Sequence, residues 1–354
     1  MSRRRVGLAA AVVGVVAAGT AAGVALERRA VGRARNAPDP YADEPFGALH
    51  TAGRTVYADD GVPLHIEIEG DDNAPLTIVF VHGFTLSMDC WHFQRRDLDD
   101  VGRLVFYDQR SHGASGRSAR KHATIDQLGR DLGTVLAAVA PRGPVVLVGH
   151  SMGGMTLLAL ADQHPEMFAS GGRIVGVALV GTAAGAFAET IFGIPGVLGR
   201  AIRPIAPGAI RAVNRRASLV EQGRRAGSDV AFLLTRKLSY GGDVPPSLVA
   251  FMERMVAATP VEVMTEFFDT FLEHDKLAAL GALKDVPTLI LCGDEDKLTP
   301  VHNSHVMADA LPDAELVVVP GAGHMSMLER PSLVNAALRR LVQRAGARTQ
   351  AATA

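Results

Sequence analysis

One serine of this chain stands in a sequence context that exposes a hydroxyl for nucleophilic attack. The pentapeptide Gly-His-Ser-Met-Gly at 149–153 directly follows the apolar run 144–148. A buried strand that ends in Gly-x-Ser-x-Gly and leads into a helix makes a sharp turn, from which the serine side chain projects. Glycines are required there because strand and helix approach too closely for side chains. The run 157–161 supplies the expected helix, so Ser151 is a candidate nucleophile.

Serine chemistry also needs a general base, a carboxylate that orients the base, and donors for the developing oxyanion, since a hydroxyl is a weak nucleophile at neutral pH. Two later segments supply candidates. The apolar run 287–292 ends in a carboxylate-rich loop at 293–300, and the run 316–320 leads into Gly-Ala-Gly-His at 321–324. The order serine, aspartate, histidine, each after its own strand, is the order of the serine-elbow enzymes.

Together these motifs resemble the α/β-hydrolase family over about 290 residues, from near Thr55 to near Val342. The likeness includes the turn Val-His-Gly-Phe at 81–84 and the segment 108–115, in which Ser111 stands where the family commonly has glycine. Within the family, the chain is similar to cofactor-free haloperoxidases and esterases.

The resemblance implies a role for each of five residues. Ser151 would be the nucleophile, His324 the general base and then the acid, and Asp296 the carboxylate that fixes the histidine tautomer. The backbone N–H groups of Phe84 and Met152 would donate to the oxyanion. Asp294 competes with Asp296, but the position of Asp296 fits the family spacing after the glycine and before the proline of that loop.

This resemblance implies hydrolysis of an ester or thioester of a lipophilic acid through an acyl-enzyme on Ser151. Epoxide hydrolysis and dehalogenation use an aspartate nucleophile in this family, so the serine argues against them. Perhydrolysis and carbon–carbon bond hydrolysis use the same triad and stay open. The alternative from another class is a catalytically silent binding or scaffold protein.

Strands and helices alternate along the chain, which predicts an α/β fold with an eight-stranded, mostly parallel sheet flanked by helices. Asp-Asp-Gly at 59–61 is a hairpin signal, so the sheet begins antiparallel. One helix is predicted at 125–138. The predicted strands are Thr55–Ala58, Leu64–Glu69, Thr77–Val81, Leu104–Tyr107, Val145–Val148, Val175–Val180, Thr288–Cys292 and Leu316–Val319.

Between 182 and 284 the alternation stops, and helical, apolar sequence stands where the family inserts a cap. Most of its large apolar residues are expected in the core and a minority along an acyl pocket. Its arginines either meet anionic lipid or form a solvated face. The apolar residues are Phe187, Ile191, Phe192, Phe251, Met252, Met255, Met264, Phe267, Phe268 and Phe271. The arginines are Arg200, Arg203, Arg211, Arg215, Arg216, Arg224 and Arg225.

The amino terminus carries an uncharged apolar stretch from Val6 to Leu26 between arginine clusters at 2–5 and 27–35. As a helix this stretch would reach roughly 30 Å, enough to cross a bilayer. The competing interpretation is a cleaved export signal, but the stretch is long for a signal core and the following basic cluster opposes translocation. We expect a single-pass membrane anchor, whose orientation the arginines on both sides leave open.

Composition and motif content argue against several kinds of ligand. A formal net charge of −1 at pH 7 gives no indication of nucleic-acid binding. We expect no metal, because His302 and His305 have no further ligand cluster beside them. We expect no nucleotide cofactor, because the glycine-rich stretches lack the phosphate-binding patterns. The predicted organisation is an anchor with basic flanks at 1–35, a linker at 36–50, a hydrolase core at 51–181 and 285–342, a helical cap at 182–284 and a disordered tail at 343–354.

Overall fold

The apolar runs of the sequence form one eight-stranded sheet in the computed structural model of the chain, which describes residue 32 and residues 35–185 and 235–353. All eight predicted strands are found, within a few residues of the predicted bounds. In chain order, β1 to β8 are Arg54–Tyr57, Pro63–Glu69, Thr77–Val81, Arg103–Tyr107, Val145–His150, Ile174–Val180, Thr288–Gly293 and Glu315–Val319.

The sheet has the spatial order β1-β2-β4-β3-β5-β6-β7-β8. Strand β2 pairs antiparallel with β1 and with β4, and every other pairing is parallel, so the predicted antiparallel start is confirmed. Strands β3 to β7 are buried along their whole lengths, which explains their continuous apolar runs. Because these strands are parallel, the loops that follow β3, β5, β7 and β8 meet at one edge.

Helices cover both faces of this sheet and contribute to its two main apolar clusters. The helix Ile125–Val139 begins with an N-cap residue, Thr124, whose hydroxyl accepts the Gln127 N–H at 3.1 Å. It occupies the stretch predicted at 125–138. The α-helices that lie wholly within the described ranges, α1 to α9, are His92–Asp97, Ile125–Val139, Met152–Gln163, Pro246–Ala258, Val261–Glu266, Phe268–Glu273, Val301–Ala310, Ser326–Glu329 and Pro331–Thr353.

The prediction of a disordered tail after residue 342 is wrong, because α9 continues to Thr353. The side chain of Ala345 is fully buried. The Arg344 guanidinium donates to the Thr288 carbonyl at 3.2 Å and pairs with Glu315 at 3.1 Å. These contacts hold the helix on the sheet although its sequence there is rich in polar and small residues.

The predicted linker at 36–50 packs against the rest of the molecule. Asp39 accepts hydrogen bonds from the backbone N–H and the hydroxyl of Ser247, at 2.9 and 2.8 Å, and so caps the start of α4. The ring of Phe46 stacks on Phe251 of α4, with 4.7 Å between centroids. Glu44 accepts from His92 at 2.8 Å. The segment therefore ties the core to the described part of the cap.

Helices α4, α5 and α6 make up much of the described cap, and the prediction of mostly core positions there is supported by the burial of Phe251, Met252, Met255, Phe267 and Phe271. The arginine-rich part of the predicted cap and its first apolar residues, Phe187, Ile191 and Phe192, lie outside the described residues.

The predicted anchor at 6–26 also lies outside the described residues. In the part of the chain that the structure describes, no helix combines the length and the hydropathy that crossing a bilayer requires.

Candidate active site

Ser151 occupies a strained turn between β5 and α3. Its φ of 53° and ψ of −117° lie in a region that residues with a side chain rarely adopt. The turn is held by the Ser151 N–H, which donates to Val180 O at 2.9 Å, and by the Thr182 hydroxyl, which donates to Ser151 O at 2.7 Å. A Cβ on Gly149 would lie 2.7 Å from the Gly153 backbone, so the glycines of the motif are sterically required.

The loop after β3 approaches the turn at Gly83, where a Cβ would lie 3.2 Å from the Cβ of Ser151. The next residue, Phe84, lines the same cavity as Ser151. Met152 is the first residue of α3, and the first N–H groups of a helix have no acceptor within it. These positions fit a pair of backbone donors beside the Ser151 hydroxyl.

His324 and Asp296 are brought together from the loops after β8 and β7. The Nδ1–H of His324 donates to Oδ2 of Asp296 at 2.9 Å, and both side chains are buried. With its Nδ1 proton held there, the ring keeps Nε2 as the basic nitrogen, and His324 lines the same cavity as Ser151.

Asp296 accepts three hydrogen bonds besides that of His324. The N–H groups of Leu298 and Thr299 each donate to Oδ1 at 2.8 Å, and the Thr299 hydroxyl donates to Oδ2 at 2.8 Å. Burial would raise the pKa of Asp296, but the charge of His324 and the hydrogen bonds from His324 and Thr299 outweigh burial, so the pKa lies below its ordinary value. The carboxylate is therefore ionised at neutral pH.

Asp294, the competing carboxylate, has a different contact. Its side chain accepts the Gly321 N–H at 2.7 Å, and the residue is exposed. It braces the loop that leads to His324, whereas Asp296 contacts the imidazole.

Three other histidines near the site are buried and neutral. Burial lowers the pKa of His82 to about 4 and the pKa values of His112 and His150 to about 3. The Nδ1–H of His82 donates to Gly83 O at 2.7 Å, and the Nε2–H of His150 donates to His324 O at 3.0 Å. His82 and His150 thus form hydrogen bonds behind the nucleophile turn.

A cavity of about 350 Å³ opens above Ser151, which is within the usual range for small-molecule sites. Its lining includes Ser151, His324 and Thr299 from the core and, from the cap, Met252 and Val256 of α4, and we call the cap side of the cavity its roof. Further side chains around it are mostly apolar: Phe84, Leu86, Met155, Leu238, Phe268, Phe271, Leu298 and Met325. A minority of the apolar cap residues thus lines this cavity.

A second cavity of similar volume lies on the other side of α4 and contains neither Ser151 nor His324. Its lining mixes apolar side chains with Glu67, Asp89 and Arg254. In the described ranges, no three His, Cys, Asp or Glu side chains gather into a group that could hold a metal ion.

Sequence reasoning missed Thr299 and Glu329 as parts of the site. Glu329 accepts the N–H of Gly323, the residue before His324, at 2.7 Å. Ser111, noted for replacing the usual glycine, adopts a φ of 66°, which explains why glycine is favoured there.

Comparison with known proteins agrees with this arrangement. A family model described as the alpha/beta hydrolase family matches residues 78–337. The match covers well over half of the chain, and the protein belongs to the α/β-hydrolase family.

Related proteins span most of the chain. A non-heme haloperoxidase of Rhodococcus erythropolis is 29% identical over 287 residues, which cover 80% of this chain and 97% of that protein. A monoacylglycerol lipase of Mycolicibacterium smegmatis is 26% identical, covering 75% of this chain and 86% of the lipase.

Among solved structures, a thermophilic esterase from Thermogutta terrifontis superposes with a TM-score of 0.64 at 24% identity, covering 83% of this chain and 99% of the esterase. This likeness shows the fold. With the family match and these relatives, the chain is an enzyme of the α/β-hydrolase class.

Proposed function

We propose that this protein is a serine hydrolase that cleaves carboxylic ester or thioester bonds of a lipophilic acid. One observation carries the proposal: Ser151, in its strained turn, and His324 line the same apolar cavity, and Asp296 binds the ring of His324. Two of the related proteins are a lipase and a haloperoxidase, and both are compatible with this assignment.

In the proposed reaction, His324 takes the proton of the Ser151 hydroxyl as its oxygen attacks the carbonyl carbon. The N–H groups of Phe84 and Met152 bind the negative oxygen of the tetrahedral intermediate. His324 then gives the proton to the leaving alcohol or thiol, which departs and leaves an acyl-enzyme. Water, deprotonated by His324, attacks this ester and releases the acid, and the proton returns to Ser151.

The cavity supports a lipophilic acyl group. Met252, Val256, Phe268 and Phe271 place apolar surface over Ser151. Each methylene of an acyl chain buried there gains about 0.8 kcal/mol. We therefore expect kcat/KM to rise with chain length until the cavity is filled.

The test is hydrolysis of p-nitrophenyl esters from acetate to palmitate, with Ser151→Ala as control. Serine-dependent release that increases beyond acetate supports the proposal. Release that is equal in the variant contradicts it, as does the absence of labelling of Ser151 by a fluorophosphonate.

A second candidate, perhydrolysis, uses the same acyl-enzyme and is favoured by the similarity to a non-heme haloperoxidase. Hydrogen peroxide would replace water as the attacking group, so that the acyl group leaves as a peracid. Competition between water and peroxide for one acyl-enzyme distinguishes the two reactions, because a perhydrolase yields mainly peracid at low peroxide.

For localisation, we propose that the uncharged stretch 6–26 anchors the enzyme in a membrane, and its length and basic flanks support this. Fractionation of the full chain, with a variant that lacks residues 1–35 as control, tests the proposal. Recovery of the full chain from the soluble fraction would contradict it.

A further inference from the structure

Glu329 is a buried carboxylate that the proposed reaction does not use. It ends the short helix α8, which follows His324, and is 7% exposed. Burial raises its pKa despite the backbone hydrogen bonds that favour its charged form. A carboxylate retained in such surroundings is costly unless its oxygens are well bound.

Both oxygens of Glu329 accept backbone hydrogen bonds, from two different parts of the molecule. Oε1 accepts the N–H of Gly323 at 2.7 Å, and Oε2 accepts the N–H of Gly241 at 2.9 Å. Gly323 directly precedes His324, whereas Gly241 belongs to the described part of the cap. One side chain therefore binds the loop of the proposed base to the cap.

The two backbones are in direct contact at this junction. The Met325 N–H donates to the Ser239 carbonyl at 3.1 Å. A Cβ on Gly241 would lie 2.6 Å from the carbonyl carbon of Ala322, so there is no space for a side chain between cap and loop. A shift of the cap at this point must move the loop or break these contacts.

The junction is also connected to the roof of the cavity. The hydroxyl of Tyr240, the residue before Gly241, donates to Leu248 O in α4 at 2.8 Å. The same helix carries Met252 and Val256 over Ser151. The contacts thus run without a break from the cavity roof to the loop of His324.

We propose that Glu329 is a positioning residue that fixes His324 for reaction only while the cap is seated on its loop. The proposal rests on the proposed function, since it assigns His324 the role of base. If Glu329 has this role, a substrate that contacts α4 affects the position of His324 and therefore the reactivity of Ser151.

A carboxylate suits this role because it offers an acceptor to each N–H. A glutamine of the same shape offers one carbonyl oxygen, and its NH₂ would face the other N–H. In Glu329→Gln we expect turnover per fluorophosphonate-titrated site to fall about tenfold or more, because an unsatisfied buried N–H displaces the junction. If Glu329 only stabilised the fold, the variant would have a smaller fraction of protein that reacts with fluorophosphonate, but each reactive site would turn over as in the wild type. That result would overturn the proposal.

A second variant reaches the junction from the cap. Gly241→Ala inserts a methyl group between cap and loop without altering Glu329, and we expect a similar loss of turnover. Because both changes act on one contact, the double variant should be little worse than the more impaired single variant. Losses that multiply would overturn the proposal.

Hydrogen exchange provides a readout that needs no activity. In Glu329→Gln we expect faster exchange of the Gly241 or Gly323 amide and also of the Met325 amide, which Glu329 does not bind. Glu262→Gln, at an exposed position of α5, should leave all three unchanged. Unchanged exchange at the Met325 amide would overturn the proposed role of Glu329, whether or not the wild type hydrolyses esters. A wild type that hydrolyses no ester would refute the proposed function instead.

Discussion

The hydroxyl of Thr299 donates to Oδ2 of Asp296, the same oxygen that accepts the Nδ1–H of His324. The two donors are 3.3 Å apart, and they share the charge of one buried carboxylate. Thr299 thereby helps to hold the Asp296 carboxylate in the position from which it binds the imidazole.

Thr299→Val tests this relationship, because it removes the hydroxyl and keeps the backbone N–H that binds Oδ1. The carboxylate then loses one of the hydrogen bonds that fix Oδ2 beside His324, so the imidazole is oriented less well. We expect kcat/KM at neutral pH to fall by about five- to tenfold. Thr299→Ser keeps a donor and should restore the wild-type rate. An unchanged kcat/KM in the valine variant would refute the effect.

Asp296→Asn should lower kcat by about 10⁴-fold without unfolding the protein, since the amide donates to Nδ1 and leaves the proton on Nε2. Asp294→Asn is the matched control in the same loop, and its effect should stay small because, among the described residues, the Asp294 side chain binds a backbone N–H of the neighbouring loop and not the imidazole. Ester hydrolysis and thermal unfolding of both variants provide the measurements. A larger loss in the Asp294 variant would reverse the assignment.

The strain at Ser151 should appear as a cost in stability. Ser151→Gly relieves the unfavourable φ of 53° and should raise the midpoint of thermal unfolding above that of Ser151→Ala. The gain should be about 1 kcal/mol, because relief of strain is partly offset by the larger conformational entropy of glycine in the unfolded chain. Calorimetry compares the two inactive variants directly. Equal midpoints would contradict the predicted gain.

The buried histidines predict loss of stability in acid. The pKa values of His82, His112 and His150 lie at about 4, 3 and 3 in the folded protein, against 6.5 for the free side chain. Below pH 6.5 the unfolded state therefore binds more protons. Each histidine should remove about 1.4 kcal/mol of unfolding free energy per pH unit as the pH falls toward 4. The pKa of Asp108, raised by burial to about 6, offsets one of them.

Urea unfolding between pH 7 and pH 4.5 measures this dependence. His112→Phe keeps a ring among Phe84 and Phe267 and removes one titrating group. Its slope of unfolding free energy against pH should be shallower than that of the wild type. Parallel slopes would mean that His112 is not held neutral.

Truncation after residue 342 should destabilise the protein. The buried Ala345 methyl lies against β6 at Gly176, and Arg344 holds the start of β7 and the side chain of Glu315. We expect a loss of about 2 kcal/mol or more in unfolding free energy, because buried apolar area and a hydrogen bond are lost together. Truncation after residue 349 keeps these contacts and serves as the control. A melting curve unchanged by truncation after residue 342 would contradict the prediction.

The features that the sequence revealed are local ones. Each core strand is a continuous apolar run, and the turn at Ser151 is marked by glycines that the backbone needs within a few positions. Thr299 and Glu329 escaped notice because their importance comes from contacts between distant segments. Glu329 meets Gly241 only after the cap has folded over the sheet.

The end of α9 was missed for a related reason. Its last turns present Ala345 as an isolated small apolar residue, too weak a signal for a buried face. The small size of Ala345 becomes informative only beside Gly176, where a Cβ on the glycine would lie 3.2 Å from the alanine methyl.

The bond between Asp39 and Ser247 determines where other molecules can be attached to this enzyme. It places Asp39 at the start of α4, the helix whose Met252 and Val256 line the cavity of Ser151. The far end of α9 lies instead near the starts of β6 and β7, at the opposite end of the strands from Ser151. A fluorophore or immobilisation tag joined at the carboxyl end therefore stands away from Ser151, whereas one joined just before Asp39 stands beside a helix that lines the cavity.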